Sequence, residues 1–156
     1  MAKTADQWFA EYGESHQNPV NKTIHWIAVP LIFLSVVGLI WSIPTPAAFK
    51  TVPYLNWATL ALVGTTLFYL RLSVTLGIGM ALFSVLMVWA VAAFEQTGLL
   101  PVWGMSLIIF TVMWVFQFIG HAVEGKKPSF FKDVQFLLIG PAWLMGFIYR
   151  ALGIRY

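Results

Sequence analysis

Four uncharged, strongly apolar blocks dominate the chain. Between Thr23 and Val123 the only charged residues are Lys50, Arg71 and Glu95, and they divide the stretch into blocks at about 24–43, 54–70, 72–94 and 99–120. At about 1.5 Å rise per residue, blocks of this length suffice as helices to cross the roughly 30 Å hydrocarbon layer of a membrane, the block at 54–70 being at the short limit. Backbone groups in lipid must be paired within their own segment, which predicts helices for all four. Trp26, Trp41, Tyr54, Trp57, Trp89 and Trp103 fall near block ends, where amphipathic rings settle at the membrane–water interface. A fifth apolar run, 134–149, is shorter and holds Gly140-Pro141 near its middle. Proline inside a helix removes a hydrogen bond and kinks the chain, so this run reads as a re-entrant or interfacial segment, with a short full span as the alternative.

Residues 1–18 have a different pattern. Thr4 is placed to cap a short helix with Trp8, Phe9 and Tyr12 on one face and Asp6, Glu11 and Glu14 elsewhere. This predicts an amphipathic helix on the membrane surface. Asn18-Pro19 ends it and suits the cap and first residue of the next helix. With three acidic residues and no apolar stretch of seven, the first 22 residues do not resemble a cleaved signal peptide. The expected fold is therefore a single all-α integral membrane domain over 1–156: about four transmembrane helices, an N-terminal amphipathic helix and a short C-terminal segment.

Composition sharpens this reading. Apolar residues make up 60% and charged residues 10% of the chain, with a mean hydropathy of +0.80, which excludes a soluble globular domain and a disordered chain. The net charge of +3 comes from Lys and Arg at block ends and not from a basic stripe, so no nucleic-acid partner is expected. With four spans, eight of the nine basic residues share one side, leaving Lys50 alone on the other. The positive-inside rule then puts residues 1–18 in the cytoplasm, on the inner membrane of a bacterium or the endoplasmic reticulum of a eukaryote. The absence of Cys removes disulfides, thiolate metal sites and thiol nucleophiles.

The three histidines carry the candidate chemistry. His16 precedes the first span, His25 lies at its start, and His121 comes twenty residues after Pro101, at the end of the fourth. Four spans return the chain to its starting side, so all three are expected at one membrane face. Each has polar company at helical spacing: Tyr12 with His16, Asn21 with His25, and Gln117 and Glu124 with His121. Neutral imidazole is the commonest metal ligand, and ligating rings usually give their other N–H to a neighbouring oxygen. His16, His25 and His121 are therefore candidate metal ligands. Tyr12, Asn21, Gln117 and Glu124 are candidate supporting or catalytic groups. Glu124 would either ligate the metal or hold the His121 ring, the latter being favoured. Lys126 and Lys127 stand close enough to steer a substrate carboxylate, although lysines here also serve topology. The competing reading is a set of interfacial histidines bonded to headgroups. The HExxH and HxxxH spacings of zinc proteases and multi-histidine di-iron hydroxylases are absent.

Read as patterns, Tyr12-x3-His16-x4-Asn21-Lys22-x2-His25-x4-Pro30 and Gln117-x2-Gly120-His121-x2-Glu124-x3-Pro128 resemble the membrane-embedded 2-hydroxy fatty acid dioxygenase family. The resemblance implies an Fe(II)-dependent enzyme that uses O2 to convert a long-chain 2-hydroxy fatty acid to the acid one carbon shorter and CO2. It places His16, His25 and His121 on the family's histidines. That conversion is a four-electron oxidation which one O2 can accept, so no nicotinamide or flavin is called for, and no glycine-rich fingerprint is present. Three histidine ligands would leave positions open for the substrate's carboxylate and 2-hydroxyl and for O2. A lipid acid presents its head at the depth expected for the histidines, its chain lying between helices or in the adjoining leaflet. Two alternatives remain at this point: a membrane metal- or haem-binding protein without oxygenase activity, and a small membrane scaffold.

Overall fold

The computed structural model describes residues 3–125 and 136–156, which form six α-helices and no strand. Helix α1 spans Ala5–Gly13, α2 Pro19–Trp41, α3 Trp57–Leu72, α4 Val74–Thr97, α5 Val102–Glu124 and α6 Ile139–Ala151. Local chemistry sets the helix starts. Thr4 caps α1 in a reciprocal box with Gln7, and Asn18 Oδ1 accepts the Val20 N–H at 2.9 Å, with Pro19 as the first residue of α2. Asn56 caps α3 in the same reciprocal way with Thr59, and Ser73 caps α4.

Helices α2, α4 and α5 are long and apolar enough to cross a membrane, whereas α3, with 16 residues, is shorter. Only 11% of the apolar window of α5 is buried. Side chains such as Ile108, Val112, Val115 and Ile119 on α5, and Leu82, Val85 and Trp89 on α4, face outward. A surface this apolar is tolerated only against lipid, so this is an all-helical membrane protein.

The core is organised around α2. It packs lengthwise on α5, and also against α3, α4 and α6, while α3 and α4 form a hairpin. Close approach to α5 is set at two glycines: a Cβ at Gly38 would stand 2.1 Å from Ser106 Oγ, and one at Gly120 2.3 Å from Asn21 Oδ1. Gly79 likewise admits Tyr149 of α6, whose hydroxyl donates to the Thr75 carbonyl at 2.8 Å.

One local expectation changes. Pro141 does not kink a helix, because α6 begins at Ile139 and the proline occupies its first turn, where N–H groups have no intrahelical acceptor. From Ile139 on, the run is a helix packed into the bundle, with Ile139, Ala142, Trp143 and Leu144 all in the core. The apolar face of α1 finds its partner in protein: Phe9 and Tyr12 are buried against α6, with Tyr12 and Trp143 rings 5.2 Å apart.

Candidate metal centre

His16 lies just beyond α1, His25 two turns into α2, and His121 in the last turn of α5. Because α2 and α5 run antiparallel, the start of one meets the end of the other, and the turn after α1 lays His16 across both. All three rings are buried, at 2%, 1% and 5% exposure. Their centroids are 4.1 Å apart for His16–His25, 5.4 Å for His16–His121 and 5.2 Å for His25–His121, each pair edge to face. One ring nitrogen from each lies within 4.8 Å of the others, a grouping that could hold a metal ion.

Backbone geometry assigns two of the tautomers. His16 Nδ1 lies 2.6 Å from the Tyr12 carbonyl oxygen and His25 Nδ1 2.9 Å from that of Asn21. A carbonyl only accepts, so each Nδ1 carries the proton, and Nε2 of the neutral ring carries a lone pair. Each ring thus bonds to the residue one helical turn behind it, as metal-binding histidines commonly do. Tyr12 stacks on His16 with centroids 4.2 Å apart and planes 10° from parallel, and Trp143 closes over it at 5.6 Å.

Glu124 ties these elements together. Its carboxylate accepts the backbone N–H of Gln17 at 2.8 Å and of Asn18 at 2.9 Å, and Asn21 Nδ2–H at 3.1 Å. A negative charge is unfavourable at the C-terminus of its own helix and favourable before the N-terminus of another, and Glu124 lies at both. Asn21, fully buried, also donates Nδ2–H to the Ser15 carbonyl at 3.0 Å. The two acceptors fix which end of the amide is nitrogen. Its Oδ1 is turned toward Gly120.

A cleft of about 400 Å³, the open space at its mouth included, meets the cluster at His25 and is also lined by Tyr12, Val29, Ile32, Trp114 and Gln117, among others. It is polar at the histidine end and apolar beyond.

Residues 2–152 match the family described as "2-hydroxy-palmitic acid dioxygenase Mpo1-like". The chain belongs to the Mpo1-like family. Within it, the 2-hydroxy-palmitic acid dioxygenase MPO1 of Saccharomyces cerevisiae is 29% identical over 132 residues, covering 83% of this chain and 71% of the yeast protein. No solved structure matches the chain.

In this Mpo1-like chain the structure brings His16, His25, His121, Tyr12, Asn21, Gln117 and Glu124 to one end of the α2–α5 pair. Lys126 and Lys127 lie outside the described residues. Three contributors escaped sequence reasoning. Gly120 stood in the motif with no role, and its role is space for Asn21. Trp143 gives no signal in an apolar run. The backbone N–H groups of Gln17 and Asn18, which engage Glu124, have no side-chain signature at all.

Proposed function

We propose that the protein is an iron-dependent dioxygenase that converts a long-chain 2-hydroxy fatty acid and O2 to the one-carbon-shorter fatty acid, CO2 and water. The observation that carries this reading is three buried imidazoles, converging from three elements, one of which, His25, lines the polar end of an otherwise largely apolar cleft. The donor set fits a divalent metal: imidazole is a common ligand for such ions, and the Nδ1 contacts of His16 and His25 with carbonyl oxygens leave the Nε2 lone pair of each neutral ring for an ion. His16, His25 and His121 would hold the ion. When bound, Fe(II) supplies redox chemistry toward O2 and open positions for a chelating substrate. Gln117 is placed beside the substrate head, and Tyr12 and Trp143 keep water from the ring of His16. Val29, Ile32 and Trp114 receive the first part of the acyl chain. A bis-histidine haem fits poorly, because rings 4.1–5.4 Å apart leave no slot for a porphyrin between them.

The test uses protein purified without a chelator or a polyhistidine tag. Its metal content is measured, and O2 uptake is followed with 2-hydroxypalmitic acid, the acid in the yeast relative's name. Stoichiometric iron, with pentadecanoic acid as product, is expected. Bound metal with no O2 uptake would leave a metal-binding protein and remove the dioxygenase.

Glu124 acts on the centre by fastening the α1–α2 turn that carries His16. In Glu124→Gln an amide NH2 replaces one of two oxygens that face backbone donors, so at least one bond is lost. Metal affinity is expected to fall about 10–100-fold, the usual cost of losing a group that positions a ligand. Loss as complete as that from a histidine variant would instead make Glu124 a ligand.

We also place both residue 3 and the segment 126–133 on the cytoplasmic side, from the eight-to-one distribution of basic residues. Single-cysteine variants Lys3→Cys and Lys132→Cys should react with an impermeant maleimide from the same side, against a cysteine-free background. Labelling from opposite sides would break this topology.

A further inference from the structure

The cleft at the histidines does not stand alone. A second groove of about 500 Å³, the open space at its mouth included, lies between α2 and α3, lined by Val36, Val37 and Ile40 of α2 and by Ala61 and Thr65 of α3. Leu137 lines both spaces and is the wall they share. The Thr65 hydroxyl is spent on the Leu62 carbonyl at 2.9 Å, so the groove is apolar in practice. Its α3 side is partly exposed, since Ala61 faces outward toward lipid. The turn that carries Leu137 is anchored: Tyr69, fully buried, donates its hydroxyl to the Leu138 carbonyl at 2.7 Å, and Gly140 N–H returns to the Phe136 carbonyl at 2.8 Å.

Along α2 the path reads His25, Val29, Ile32, Val36, Ile40. At 1.5 Å per residue it rises about 10 Å to Ile32 and about 22 Å to Ile40. The first distance takes a medium-chain acid, and the second takes a long-chain one.

We infer that the acyl tail of the substrate runs from the histidine cleft past Leu137 into the groove between α2 and α3, and that Leu137 sets chain-length preference. Adjacency to the centre across Leu137 selects the occupant, because a ligand with a polar head and a long apolar tail is what would fill both spaces. Another apolar groove, lined by Ile24, Ile27, Met113 and Phe116, is of similar size but has neither the histidines nor Leu137 in its walls. The inference rests on the dioxygenase reading for the head group only.

The test has two parts. The first is photolabelling of the intact wild-type protein in detergent micelles, using 2-hydroxypalmitic acid with a diazirine at its terminal carbon. Adducts are expected on Val36, Ile40, Ala61 or Thr65. Adducts on Met113 or Phe116, or on the outward α5 residues Val112 and Val115, would overturn the inference. The second is Leu137→Trp, which fills the passage. Its kcat/KM for 2-hydroxypalmitic acid should fall at least tenfold relative to that for 2-hydroxyoctanoic acid, because each methylene excluded from an apolar site forfeits several-fold in binding. Equal loss for both acids would overturn the role of Leu137. Should Leu137→Trp not fold, Leu137→Ala is read by the same labelling and is expected to raise adduct yield in the groove. Wild-type protein that labels in the groove but consumes no O2 retains the acyl path and loses the dioxygenase.

Discussion

Replacing His121 with Ala is expected to bring metal content and O2 uptake to background while leaving helix content, read by circular dichroism, close to wild type. The same result is expected for His16→Ala and His25→Ala. The effect should exceed the roughly 10–100-fold expected for Glu124→Gln, because a ligand is removed rather than loosened. Each ring belongs to a different element, and the three helices involved also pack through apolar contacts that do not include the histidines. The fold therefore has support that the substitutions leave intact. Full metal occupancy in any one variant would strike that histidine from the set. Occupancy in all three would return the cluster to ordinary interfacial histidines.

The second large effect is expected at a residue with no side chain. In Gly120→Ala the new Cβ would lie 2.3 Å from Asn21 Oδ1, well inside contact distance. An exposed side chain would swing away, but Asn21 is fully buried and held through Nδ2 by Ser15 and Glu124. Either those bonds break or α2 and α5 separate, and overpacking of this kind costs about 1–3 kcal/mol. Since α2 carries His25 and α5 carries His121, separation also spreads the nitrogens. Gly120→Ala should lower thermal stability in detergent and reduce metal occupancy together. Gly104→Ala, near the other end of α5, serves as control, because its Cβ meets nothing closer than 3.6 Å. A Gly120→Ala protein with unchanged stability and metal content would show that Asn21 moves freely and that the close approach is incidental.

Much of this arrangement was legible because local rules and membrane geometry act on short stretches. Thr4 with Gln7, and Asn18 with Pro19, announce helix starts through their own hydrogen-bonding chemistry. The shared depth of the histidines follows from counting crossings. What a sequence cannot supply is the partner across a gap. Glu124 stands one turn from His121, so helical spacing suggests the ring as its target. The structure spends both oxygens on a connection 103–107 residues away, because antiparallel α2 and α5 bring it there. The apolar face of α1 has the same ambiguity, since Phe9 and Tyr12 would be equally content against lipid or against Trp143. Pro141 misleads for another reason: apolarity extends over 134–149, but the helix starts only at Ile139, and a proline's effect depends on where the first turn falls.

The separation of the Glu124 contacts along the chain also bears on biogenesis. Asn21 and Glu124 are 103 residues apart, with three helices between α2 and the end of α5. During synthesis His16 and His25 leave the ribosome long before His121 exists, so a nascent chain offers two imidazoles and an unfastened turn. The third nitrogen and the carboxylate arrive together, at the end of one helix, only after α3, α4 and α5 have been made. Capture of a metal by this cluster would thus be a late event, and one that only a correctly folded chain completes. An ion that binds the finished bundle and not the partial one stabilises it by mass action. Iron supply would then control how much of the newly made protein persists, as well as how much of it turns over substrate.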